Sequence, residues 1–133
     1  MIFIDANIFI AYDNEKDVHH HQAKSLFEQI ENGKYDHYFT TDYVFNEVVG
    51  VTLRKHGKER AIILGNQILE SIFIINIDEH LLKQAWNLFN RSDLKLSLVD
   101  CTNLIVCKTA NTQFIATFDK EFDKIEGLKR IDS

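Results

Sequence analysis

The sequence contains no proline, one tryptophan, one methionine and only two cysteines among its 133 residues. It has no proline-rich or Gly/Ser-rich stretch, no low-complexity tract and no internal repeat, so nothing reads as a linker and a single domain over residues 1–133 is expected. Cys101 and Cys107, if they share a helix, sit on different faces and too far apart for a bridge. Two cysteines at that spacing also match none of the usual zinc patterns, so reduced, packed thiols are expected. Long hydrophobic runs are missing too: the longest are a handful of residues, far short of the roughly 20 needed to span a bilayer. The N-terminus shows neither a basic patch nor a small-residue cleavage site. The expectation is a soluble, cytoplasmic protein without membrane contact.

Positive charge is not in excess either. The chain carries 15 Lys and Arg against 20 Asp and Glu, a formal charge of −5. Net charge therefore does not announce a nucleic-acid partner. It can conceal one if several acids are gathered in a metal site with basic residues around it, which only their positions decide.

What is present is an ordinary globular balance, 45% hydrophobic and 26% charged, which excludes a disordered chain. Short continuous apolar runs read as buried strands at residues 2–5 (IFID), 37–40 (HYFT), 71–77 (SIFIINI) and 113–117 (QFIAT), with GLKRI as a last edge strand. SIFIINI is the clearest of them, β-branched and apolar throughout. Helical spacing is read over residues 17–30, 41–55 and 58–70, from Asp78 through DEHLLKQAWNLF, and over 97–110. Strands that are apolar runs and alternate with helices predict an α/β fold with a central, mostly parallel sheet covered by helices on both faces.

In open parallel sheets, ligands bind beyond the carboxyl ends of the strands. Asp5 ends the first strand, Asp119 lies two residues past Thr117, and Asp100 falls in the first turn of a helix. Glu47 lies inside the helix after HYFT, about 60° from Val44 on the side nearest Val51, which leans it toward the protein. Each has a local reading as well. Asp5 can cap the next turn, Ser97-Leu98-Val99-Asp100 is a capping box, and Asp119 and Asp123 can be turn residues. The two readings differ once the acids share one rim. Two carboxylates about 5 Å apart repel by roughly 3 kcal/mol at an effective dielectric of 20, so a cluster calls for protons or a cation. All-oxygen ligands favour Mg²⁺ or Mn²⁺, and such ions support in-line cleavage of a phosphodiester.

The segments MIFIDANIFI, TTDYVFNEVV, LSLVDCTNLIV and FIATFDKEFDKI together resemble, in order and spacing over nearly the whole chain, the four motifs of PIN-domain ribonucleases, and of the VapC-type toxins in particular. The resemblance implies a PIN-like three-layer fold. It also implies an Mg²⁺- or Mn²⁺-dependent endoribonuclease that leaves 5′-phosphate and 3′-hydroxyl ends, often a homodimer, and held in check by a cognate antitoxin. The family's acids map onto Asp5, Glu47, Asp100 and Asp119 as catalytic metal ligands. Asn7, Thr41, Ser97 and Thr117 accompany them in the motifs, and Asp123 is an extra acid that not every member has. A non-catalytic PIN-like module that works by binding protein is the alternative. A phosphatase of the haloacid-dehalogenase type ranks lower, because it needs a second Asp where this chain has Asn7.

Other features invite a chemical reading. His19-His20-His21 cannot converge on one ion from a helix, where successive residues fan out by about 100°, so a solvated or partly packed face is expected. Arg54, Lys55, Lys58 and Arg60 form one basic cluster and Lys120, Lys124, Lys129 and Arg130 another, either of which suits RNA phosphates or plain solvated surface. Trp86, among Leu82, Ala85 and Phe89, reads as core or subunit interface.

Overall fold

A computed structural model describes all of residues 1–133. Five strands form one sheet: β1 (Ile2–Ile4), β2 (Tyr38–Thr41), β3 (Phe73–Ile75), β4 (Phe114–Ala116) and β5 (Lys129–Ile131), in the order β3-β2-β1-β4-β5. Every pairing is parallel, the β4–β5 edge included. The helices are α1 (Ala6–Asp13), α2 (His20–Glu31), α3 (Asp42–His56), α4 (Lys58–Ser71), α5 (Glu79–Arg91) and α6 (Leu98–Thr109), with a 3-10 turn at Lys120–Lys124. This is the α/β fold with a parallel central sheet expected from alternating apolar runs and amphipathic helices. None of the helices is long and apolar enough to cross a membrane.

The centre of the sheet is where burial is complete. Ile2, Phe3 and Ile4 are all inaccessible, and β2 and β4 flank them. Thr40 donates its hydroxyl to the Ile4 carbonyl at 2.7 Å, which satisfies a polar group in the core. Because β1 is central, the residues that follow β1, β2 and β4 emerge side by side at one rim.

Three elements differ from their sequence expectation, each for a physical reason. Residues 6–13 form a helix that the sequence reading leaves unassigned. Ala6, Ile8, Phe9 and Ala11 are all buried, and a short helix apolar nearly all round carries no amphipathic period to detect. Helix α2 begins at His20 instead of Asp17, because Asp17 turns back to accept the His19 N–H at 2.8 Å. SIFIINI shrinks to the three-residue edge strand β3, with Phe73 70% exposed. The Ile77 N–H leaves the ladder and donates to Asp42 Oδ1 at 2.9 Å.

Cys101 and Cys107 are free and buried, as expected of packed thiols, and burial pushes the Cys107 thiol up to about 12. Trp86 is half exposed and stacks on Phe89, so it lies outside the core. His20 Nδ1 bonds the Ala11 carbonyl at 2.9 Å, and the His19 ring stacks on Phe118 with centroids 4.3 Å apart. That face of α2 is thus partly packed.

Gly57 closes α3 and opens α4 with φ +88° and ψ 172°, a region that side-chain-bearing residues occupy only under strain. A Cβ there would meet nothing within 4 Å, so the whole cost of Gly57→Ala is in the backbone. We expect it to lower stability by about 1–2 kcal/mol without changing the carboxylate rim, as read by urea unfolding.

Candidate active site

Asp5 is the N-cap of α1, immediately beyond β1, and is 6% exposed. The Ala6 N–H donates to its Oδ1 at 2.8 Å, so the local capping reading of this residue is correct. Capping does not exhaust its role. The Thr117 hydroxyl donates to Oδ2 at 2.8 Å and the Asn103 amide to Oδ1 at 3.3 Å, and no lysine, arginine or histidine pairs with it. Burial pushes its carboxyl up to about 6, against the Thr117 and Ala6 bonds; Asp100 and Glu47 push in the same direction as burial.

Asp100 sits at N3 of α6 in a complete capping box: its N–H donates to Ser97 Oγ at 3.1 Å and its Oδ2 accepts from the Ser97 N–H at 2.9 Å. Burial raises its carboxyl, the Ser97 bonds oppose that, and Asp119 adds to the rise. Glu47 projects from α3 on the shoulder beside the buried line Val44, Val48 and Thr52, and it is open to solvent. Partial burial raises it, and Asp100 raises it further. Asp119 caps the 3-10 turn, accepting from the Glu121 N–H at 2.9 Å.

The four acids from four separate elements therefore feel one another: Asp5 with Asp100 and Glu47, Glu47 with Asp100, and Asp100 with Asp119. None of the four is tied to a cation. Asp123 behaves differently. It pairs with Arg130 at 2.8 Å. Arg130 also donates to the Thr117 carbonyl at 3.3 Å and to Asp132 at 2.9 Å.

Two of the accompanying residues brace the rim. The Thr117 hydroxyl, donating to Asp5, accepts from Asn7 Nδ2 at 3.0 Å and from the Asp119 N–H at 3.2 Å. Asn7 Oδ1 accepts from the Phe118 N–H at 3.2 Å, so one side chain locks the start of α1 to the end of β4. Thr41 caps α3 through the Val44 N–H at 3.2 Å, which sets where Glu47 leaves the helix.

The residue that sequence reasoning missed is Asn103. It is fully buried one turn after Asp100, donates to Asp5, and leaves its own Oδ1 without a partner. The available signal was a lone amide inside the apolar run CTNLIV, where a buried polar side chain needs a reason.

The donor set fits a hard divalent ion: carboxylate oxygens, mutually destabilising, with no protein cation to neutralise them. No three His, Cys, Asp or Glu side chains are drawn together tightly enough to hold one in this structure. Asp5, Asp100 and Asp119 each accept a backbone N–H of their own element.

Comparison with solved structures places this architecture among known proteins. VapC20 of Mycobacterium tuberculosis, a toxin that cleaves the sarcin-ricin loop, superposes with a TM-score of 0.83 at 26% identity, over 92% of this chain and 93% of that one. VapBC2 of Rickettsia felis, crystallised on a DNA fragment from its promoter, gives 0.74 at 17% identity, over 98% and 97%. A toxin–antitoxin complex from Klebsiella pneumoniae gives 0.68 at 20%, over 97% and 96%. Comparison with curated protein sequences gives no significant match. The PIN domain model matches residues 2–128, from the first residue of β1 to the approach of β5, and so takes in all four acids. Since that match spans nearly the whole chain, the protein belongs to the PIN domain family.

Proposed function

We propose that residues 1–133 act as one PIN domain that hydrolyses RNA phosphodiester bonds with the help of Mg²⁺ or Mn²⁺, as the toxin of a toxin–antitoxin pair. The observation that carries this reading is the gathering of four acids without a cation partner at the carboxyl rim of the sheet, where Asp5, Glu47 and Asp100 are raised and Asp119 adds to the rise of Asp100. Membership of the PIN family and the likeness to VapC20, a toxin that cleaves the sarcin-ricin loop, support it. The structural neighbours that are toxin–antitoxin complexes support an antitoxin partner. The half-exposed pair Trp86 and Phe89 offers apolar surface for a homodimer.

Asp5, Glu47, Asp100 and Asp119 would hold the ion. When bound, it supplies Lewis acidity toward the phosphoryl oxygens and acidifies water for in-line attack. The chain's own part is positional. Thr117 and Ala6 fix both oxygens of Asp5, Asn7 ties β4 to α1, and the capping box fixes Asp100. Digestion of RNA in Mn²⁺ by the unsubstituted chain, Asp5→Asn and Asp100→Asn tests this. Equal activity in all three rejects the assignment.

Thr117→Val probes the brace separately. It removes the bond that does most to lower the Asp5 carboxyl, so the acid limb of the cleavage profile should move to higher pH. The unpaired Asp119 N–H should cost about 1–2 kcal/mol of stability. A pH profile identical to that of the parent protein counts against a positioning role.

The open spacing of the acids is the one feature that favours a non-catalytic PIN-like module. A melting temperature that does not respond to Mn²⁺ would turn the balance that way.

A further inference from the structure

One basic residue of the α3–α4 cluster stands apart from the others. Arg60 is paired with Asp13. Arg54 has no ion pair and makes no hydrogen bond, and it lines a cavity of about 510 Å³ together with Tyr43, Asn46, Glu47, Gly50 and Val99. That volume is within the range of small-molecule sites. The cavity lies between α3 and the first turn of α6, so it adjoins the carboxylate rim on its Glu47 and Asp100 side.

The helix geometry explains how the guanidinium gets there. Side chains on a helix lean toward its N-terminus, and Arg54 folds back over Gly50, where a Cβ would lie 3.4 Å from its terminal nitrogen. The absence of a side chain at position 50 keeps that path open. It brings the charge to the level of Gly50, about 5 Å along the axis from Glu47 at the usual rise per residue. Tyr43, one turn on the other side of Glu47, is half-buried and contributes an aromatic ring to the same cavity.

We propose that this cavity is the subsite for the nucleotide next to the scissile phosphate, with Arg54 binding a backbone phosphate and Tyr43 stacking on the base. The proposal rests on the nuclease reading. It assigns a role that four acids cannot fill, because a carboxylate rim repels the backbone it must act on. An unpaired guanidinium one step away recovers the attraction and forks onto phosphate oxygens. An aromatic face beside it accepts any base, as single-stranded RNA requires.

The test uses a short fluorescein-labelled single-stranded RNA of mixed sequence. Binding is read by anisotropy in Mn²⁺, with the full chain carrying Asp100→Asn so that the RNA survives. Adding Arg54→Gln should weaken binding about tenfold and flatten the plot of log affinity against log salt by about 0.7. Arg54→Lys should restore the salt slope and only part of the affinity. Tyr43→Leu should weaken binding by roughly tenfold with the slope unchanged. In the otherwise unsubstituted chain, Arg54→Gln should raise KM, leave kcat unchanged and leave the Mn²⁺-induced melting shift intact. Unaltered affinity and slope in Arg54→Gln, or a loss confined to kcat, overturns the subsite. Failure of the unsubstituted chain to cut the same RNA in Mn²⁺ overturns the nuclease reading beneath it.

Discussion

Asp5→Asn is expected to abolish RNA cleavage and, in a chelator, to make the protein more stable. Loss of an outer-shell partner of a metal ligand typically costs 10–100-fold in activity, so loss of a ligand itself should exceed about 100-fold. The stability gain follows from the carboxyl being held up at about 6 against its ordinary 3.8. At one pKa unit per roughly 1.4 kcal/mol, the native state carries about 3 kcal/mol of penalty at pH 7 when Asp5 is charged. Solvent does not relieve it, since Asp5 is 6% exposed and lacks a cation. Asn caps a helix as well as Asp does, but the Thr117 hydroxyl, which already accepts from Asn7 and the Asp119 N–H, loses the acceptor it donates to. That loss offsets about 1 kcal/mol, so the gain should be about 1–2 kcal/mol, or roughly 3–8 °C for a domain of this size. Were Asp5 only a buried cap, the stability gain would remain, because burial is its main cause, and activity would stay near the parent value. Calorimetry in EDTA measures the burial penalty, and an RNA digest decides the ligand role.

The capping bonds at these acids explain how much the sequence disclosed. Asp5 and Ser97 with Asp100 were legible because caps are local: a side chain one to three residues from its donor leaves a pattern in a short window. The parallel sheet was legible because central strands must be apolar on both faces. What was hidden depends on partners distant in sequence. Asn103 reaches Asp5 across 98 residues and Asn7 reaches Thr117 across 110, and neither contact has a local signature. Arg60 and Arg54 look alike in sequence. Only the fold gives Arg60 its Asp13 and leaves Arg54 unpaired. The strand SIFIINI misled for the opposite reason: its composition is that of a central strand, whereas its place is the sheet's edge.

Divalent metal should flatten the protein's response to pH. Without metal, the folded-state carboxyl of Asp5 binds its proton more tightly than the unfolded one, and Asp100 and Glu47 are raised in the same direction. Between about pH 4 and 6 the native state thus holds more protons than the unfolded chain, so stability falls as pH rises through this window and then levels off. Saturating Mn²⁺ acts in the other direction. Its ligands must be deprotonated, so protons compete with it below about pH 6 and release the site above. At a free concentration a hundredfold above its Kd, the ion adds about 2.7 kcal/mol. That increment should be full near pH 7.5 and roughly halved at pH 5, where a protonated Asp5 competes with the ion about tenfold and costs the metal-free protein less. In Asp5→Asn the increment should shrink at every pH, because the buried ligand whose charge the ion offsets is absent. Melting curves across this range, with Mn²⁺ or with EDTA, separate the outcomes. A metal shift of equal size at pH 5 and pH 7.5, or one that survives Asp5→Asn undiminished, would mean that the ion binds elsewhere and that the rim is four helix caps and nothing more.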